Sequence, residues 1–362
     1  MSLALPICRR HWSRFLLLAL LVCVAGCRVA PGPKPIFRSD LRPYGFPTQS
    51  LGRIVGSFTD ISFLSRDLVL VTVNTTSFGA EDTEPSDQPE SKLLLFDLSQ
   101  QRLQRSTQLP VEKAKDSVQS AGNDSFVLLN RAGVQICSSD LECGPPVATR
   151  GPLFVSPQGD RIAVGGRSHW EQKLLDGKTL TEQQTFAANE PRIVPGDHAV
   201  LYAQKGKLFV RKLDQADPQF VLEAGSTGVW PDARFLNDTT VAALQFDTAM
   251  AITTLEGKTI ARVPVSRGSF LAEVSTAASG SRFCFHDAGY RGLFALLNFL
   301  SIERPFNLER VNVMDTATGK SRFRLRWDPR PYVGVLSRPA LSPDGRRVAL
   351  IRHGFLEVFE VR

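Results

Sequence analysis

The feature that most limits what this chain can become is one phrase repeated seven times. An apolar pair leads into a tight turn of Ser, Pro, Asn, Asp or Gly, and an apolar strand follows. The copies are "ISFLSRDLVLVTV", "QSAGNDSFVLL", "FVSPQGDRIAVG", "RIVPGDHAVLYA", "RFLNDTTVAAL", "STAASGSRFCF" and "ALSPDGRRVAL". The strands after the turns begin near Leu68, Phe126, Ile162, Ala199, Val241, Phe283 and Val348. Four of the six intervals are about 36–42 residues, close to the length of one propeller blade.

Each copy is followed by a second strand, such as "SKLLLFDLS", "KLFVRKLD", "RVNVMDTATGK" or "FLEVFEV", and several by a weaker one such as "KTIARVPV". The apolar runs are often continuous instead of alternating, as expected of sheets buried on both faces. No long helical periodicity intervenes. The expectation is an all-β fold, a seven-bladed β-propeller of four-stranded antiparallel blades. The last blade supplies only three strands before the chain ends. A strand from the N-terminal side is expected to complete it and close the ring, and "TQSLGRIVGSF" (48–58) has the composition for this.

"LSPDGRRVALI" and "VNVMDTATGK" resemble the Pro–Asp repeat of TolB-type bacterial propellers, relatives of the WD-repeat proteins. The resemblance covers most of residues 48–362, without the extra N-terminal domain of the TolB kind. It implies a fold and says little of function.

The N-terminus reads as an export signal. Arg9, Arg10 and Arg14 precede the apolar run "FLLLALLVCVAG" (15–26), which is short for a membrane span. "VAGC" (24–27) resembles a bacterial lipobox, which implies that Cys27 becomes the lipidated first residue. With Arg28 after it, the resemblance implies the periplasmic face of the outer membrane. Residues 1–26 are then a leader, 27–47 a proline-rich tether and 48–362 the propeller. Losing Arg9, Arg10 and Arg14 lowers the net charge from +7 to about +4, a weak basic balance that argues against nucleic acid as a partner. Cys137 and Cys143, in "ICSSDLEC", are candidates for a disulfide in an exported protein. Cys284 reads as a buried free thiol, and no CxxC suggests zinc.

Asp160 and Asp344 read as turn residues, with Pro setting φ and Gly taking positive φ. Two insertions stand out, both between a second and a third strand. Residues 74–91 of blade 1 carry Glu81, Asp82, Glu84, Asp87 and Glu90. Residues 287–310 of blade 6 are crowded with apolar side chains. Among these Leu293, Phe294, Leu297, Phe299 and Phe306 are the expected partner-binding residues, on the reasoning that loops on a rigid scaffold carry binding. His169, His286 and His353 each follow a second strand, with nothing to make them converge on a metal. "KSRFRLRW" sets Lys320, Arg322, Arg324 and Arg326 on one side of a strand. Hydrolase, zinc-protease and nucleotide-binding signatures are absent.

The reading that follows is a lipid-tethered, non-catalytic binding or scaffold propeller of the bacterial envelope. It needs no cofactor and has a protein partner. The alternative is a propeller enzyme, lactonase-like or quinone-dependent, with its site at the central channel.

Overall fold

Each repeat folds as a meander because its apolar strands are short and tight turns join its first strand to its second. In blade 7 the turn is built by its own residues. Ser342 Oγ donates to Asp344 Oδ1 at 2.6 Å, Asp344 accepts from Arg346 N at 3.0 Å, and Ser342 Oγ accepts from Arg347 N at 2.9 Å. Gly345 takes φ +71°. Asp344 is a turn residue, as its setting suggested. Blade 3 has Gln158 where blade 7 has Asp344, and its neighbour supplies the carboxylate. Asp197 of blade 4 accepts from Ser156 Oγ and from Gln158 N. Burial pushes the Asp197 carboxyl above its ordinary range, and the Ser156 hydrogen bond opposes that.

The computed structural model describes residues 32–46, 60–74, 91–109, 117–122, 124–130, 132–166, 171–187, 193–215, 217–223, 233–245, 249–265, 274–289, 308–327 and 339–362. Residues from Pro35 onward form one compact unit. From channel to rim, blade 1 is Ile61–Phe63, Leu68–Asn74, Ser91–Asp97 and Arg102–Leu109. Blade 2 is Ser117–Gly122, Ser125–Asn130 and Gly133–Ser138. Its outer position is taken by two bridges, Val134 with Val147 and Cys137 with Cys143, and the second pair is joined by a disulfide. Blade 3 is Arg150–Val155, Arg161–Gly165, Gln172–Asp176 and Glu182–Phe186, and blade 4 is Ile193–Pro195, Ala199–Gln204, Lys207–Lys212 and Gln219–Glu223. Blade 5 is Ala233–Asn237, Thr240–Gln245, Ala249–Thr254 and Thr259–Pro264. Blade 6 is Ser275–Thr276, Arg282–Gly289, Leu308–Asp315 and Ser321–Trp327. Blade 7 is Ala340–Leu341, Arg347–Arg352 and Phe355–Glu360, completed at the rim by Phe37–Asp40.

Among the described residues the core forms seven apolar clusters, one between each pair of neighbouring blades, so the ring is closed. Closure by an N-terminal strand is as expected, but the segment is not 48–58. Phe37–Asp40 pairs antiparallel with Phe355–Glu360, Phe37 opposite Val358 and Asp40 opposite Phe355. Residues 48–58 lie outside the described residues. The span expected as tether, 27–47, therefore contains part of the propeller. The reason is burial: Phe37, Leu41 and Phe46 are 4%, 0% and 2% exposed and fill the cluster between blades 7 and 1. Glu357, directly opposite Arg38 in the register, is buried and pairs with Arg38 at 3.3 Å and Arg352 at 2.7 Å. A one-residue slip would turn Arg38 away from that carboxylate and bury the wrong face.

Two predictions follow from this packing. Leu41→Ala is expected to cost about 2–5 kcal/mol, read as a lower urea midpoint at unchanged slope. The second concerns Asp97, Asp176 and Asp315, which open the hairpins into the outer strands of blades 1, 3 and 6. Each accepts backbone N–H groups of its turn, from Ser99 at 2.8 Å, Lys178 at 3.0 Å and Thr318 at 3.0 Å respectively. The Ser99 hydroxyl, the Lys178 N–H and the Arg322 guanidinium are the leading causes that hold the three carboxyls below their ordinary range. A depressed folded pKa means stability fully present above the ordinary carboxylate range and lost as pH falls through the folded value. Replacing all three by Asn should flatten the fall of the urea midpoint below about pH 4.

Candidate functional site

The long interruptions inside blades fall at one kind of connection. Between second and third strands the chain passes from 130 to 133 in blade 2, 204 to 207 in blade 4 and 352 to 355 in blade 7, but from 74 to 91 in blade 1 and 289 to 308 in blade 6. These connections share one face of the ring, here the upper face, with the links from blade to blade. The two interrupted blades also have the longest central hairpins. Their strands are seven residues each in blade 1 and eight in blade 6, against five or six elsewhere. Both insertions are thus rooted on extended ladders. Cys27, His169, the acidic run 81–90 and Leu293, Phe294, Leu297, Phe299 and Phe306 lie outside the described residues.

The root of the blade 6 insertion is a polar cluster inside an apolar stack. Cross-strand register sets Asp287 opposite Arg310 and Ala288 opposite Glu309. Asp287 is 1% exposed and forms an ion pair with Arg310. His286 stacks on Trp327 with ring centroids 5.9 Å apart, and its Nε2 lies 3.6 Å from Glu309. Arg324 donates to Asn312 at 3.0 Å. Burial, with Arg326 and Arg324 alongside, lowers the Arg310 pKa to about 10, so it stays charged at neutral pH. Nothing in the sequence joined these groups. His286–Asp287 and Glu309–Arg310 meet only because the ladder zips across the intervening insertion. Period-two alternation on each side was the one available signal.

The central channel, about 1130 Å³ including its open mouths, is lined by the innermost strands of all seven blades. Phe63, Val118, Val155, Val194, Phe235 and Leu341 are among its apolar walls. Much of the polar lining serves the ring. Asp60 accepts from Val118 N at 3.2 Å, Gln119 donates to Leu153 O at 2.7 Å and accepts from Val155 N at 3.0 Å, and Ser275 accepts from Leu341 N at 3.2 Å. In each case a side chain from one blade satisfies the backbone of the next. Arg234 lies over the Phe154 ring at 4.4 Å and donates to Ala233 O at 2.8 Å. Among the described residues no three His, Cys, Asp or Glu side chains gather as metal ligands. His286 is locked inside blade 6, while His353 sits in a turn of blade 7 at φ +53°. Cys284 is buried and free, and burial pushes its thiol to about 12, which leaves it unreactive.

No protein-family model matches the sequence, and no curated protein matches it. Solved structures do. A chain of the mitotic checkpoint complex is 13% identical with a TM-score of 0.51, over 92% of this chain and 97% of that one. Hsv2 of Kluyveromyces lactis is 9% identical with a TM-score of 0.49, over 84% and 93%. Hsv2 of Kluyvelomyces marxianus is 12% identical with a TM-score of 0.43, over 66% and 69%. These are WD40-type propellers, and the likeness is one of fold.

The blade 6 root should be fragile to half-removal. Asp287→Ala strands a largely buried guanidinium and is expected to cost about 3–5 kcal/mol in urea unfolding. Asp287→Leu combined with Arg310→Met, which removes both charges, should recover most of that loss.

Proposed function

We propose that this chain is a lipid-anchored, non-catalytic propeller that serves as a binding or scaffold module of the bacterial cell envelope, with its protein partner engaged at the upper face. The observation that carries the reading is the geometry of the two departures from blade length. Both rise from the same connection, both stand on the longest hairpins, and the second is far more apolar than a solvated loop requires. A rigid ring with apolar anchors held at one face is a binding surface, and a few aromatic and aliphatic side chains carry most interface energy. The channel supports the same reading, because its polar groups are largely spent on joining blades. The Cys137–Cys143 disulfide suits an oxidising compartment, and the "VAGC" junction suits acylation at Cys27.

Two experiments test the two halves of this proposal. Fatty-acid labelling should mark the wild-type protein and fail on Cys27→Ala; equal labelling would remove the anchor from the proposal. Phe294→Glu with Phe299→Glu should leave the melting temperature unchanged and abolish partner capture from solubilised envelope. A large loss of stability with partners retained would make the segment a structural cap instead.

A further inference from the structure

We infer that the rim of blade 6 is a second contact surface, one that docks on anionic lipid headgroups beside the anchor. The inference rests on the lipid-anchor reading for its choice of occupant. Its foundation is the outer strand Ser321–Trp327, where Phe323, Leu325 and Trp327 are buried while Arg322, Arg324 and Arg326 are exposed. Lys320 is exposed at the lower end of the same row. Successive cations on one side of a strand stand about 6.6–6.8 Å apart, so the row runs the height of the rim.

The row is crowded beyond what solubility asks. Arg310 stands opposite Arg326 in the register and is buried enough for its neighbours Arg326 and Arg324 to make its own charge less favourable. Two carboxylates answer these five cations: Asp287 is taken by Arg310, and Asp315 by Arg322 at 2.7 Å. Lys320 and Arg326 have no acidic partner among the described residues. Guanidinium groups held in a line, partly dry and in excess, suit phosphate oxygens, which they bind bidentately.

The position selects lipid over an acidic polypeptide. The closing strand begins at Phe37, ten residues after Cys27, and a chain of that length reaches at most about 35 Å. That is less than the breadth of a domain this size, so part of the rim stays close to the bilayer. The chain joins blade 7 at the lower end of its outer strand, where Ile36 N donates to Val358 O at 2.7 Å. Lys320 begins the arginine row at the lower end of the next blade. Ile36 is also 38% exposed, one of only two large apolar side chains so exposed among the described residues. An exposed aliphatic group at the tether and a basic row one blade away form an interfacial contact that a single chain anchor would profit from.

The test uses the chain from Arg28 onward, which holds the whole compact unit and lacks both leader and Cys27, so it reads the rim without the anchor. It should sediment with phosphatidylglycerol-containing vesicles and not with phosphatidylcholine vesicles. Binding should weaken as salt rises from about 50 to about 300 mM. Lys320→Glu with Arg326→Glu should lower the binding at least about tenfold with an unchanged melting temperature, and Lys212→Glu on blade 4 should change nothing. If the double variant melts early, Lys320→Gln with Arg326→Gln carries the test. Excess glycerol phosphate that displaces the protein from vesicles would make the site one for a free phosphate and overturn the bilayer contact. So would sedimentation with neutral vesicles, no sedimentation at all, or none of the loss expected from the charge variants. Failure of Cys27 to take up fatty acid would instead overturn the anchor and leave the vesicle result to stand or fall by itself.

Discussion

Everything in this molecule depends on apolar sheets being covered on both faces. A blade such as Leu68–Asn74 with Ser91–Asp97 is apolar on each side, and neither side tolerates water. Each blade therefore needs two neighbours, and a row of blades ends in exposed surface unless it returns on itself. The ring returns through Phe37–Asp40, which lies against the last strand of the chain. Leu41 and Phe46 then seal the seam between blades 7 and 1. Glu357 sets the register of this short strand by drawing Arg38 and Arg352 to one buried carboxylate. A buried charge with two partners discriminates among registers more sharply than it stabilises.

Inside that constraint the polar groups divide into two kinds. Most act as clips. Asp60, Gln119, Gln172 and Ser275 each bond the backbone of the following blade, which answers the donors and acceptors that an innermost strand would otherwise leave open. Asp197 reaches the other way, from blade 4 back to the turn of blade 3, where it accepts from Ser156 Oγ and Gln158 N. The other kind gathers around blade 6, where His286, Asp287, Glu309 and Arg310 sit beneath an insertion and a row of arginines climbs the rim. A repeat protein has no stacking reason to concentrate charge in one unit. That asymmetry separates blade 6 from its neighbours and draws both functional proposals to the same quarter of the ring.

The N-terminal segment joins the two proposals physically. It is a structural strand and, some ten residues earlier, the attachment point in the lipoprotein reading. In that reading, a tether ending in a core strand limits how far the domain can stand from its anchor, and leaves the proposed upper-face site free while the proposed rim contact is within reach of the membrane.

The blade count, the second-strand positions and the location of both insertions were legible in the sequence. Each is a local matter: turn residues, β-branched runs and spacing act over a few neighbours, and the observed strands begin within about a residue of Leu68, Phe126, Ile162, Ala199, Val241, Phe283 and Val348. The alternation in "KSRFRLRW" likewise foretold its one-sided burial. Three things only the tertiary structure decided. The closing strand was placed too late in the chain because "IFRSDL" sits among prolines, and its claim to be a strand rests on Phe37 and Leu41 finding a pocket made by residues about three hundred positions away. The missing carboxylate of the blade 3 turn came from blade 4. The polar root of blade 6 joined residues that an insertion separates in sequence but the ladder brings into register. Local preference names the strands; which strand lies beside which is settled by burial and by backbone groups that must find partners, and those are properties of the closed ring.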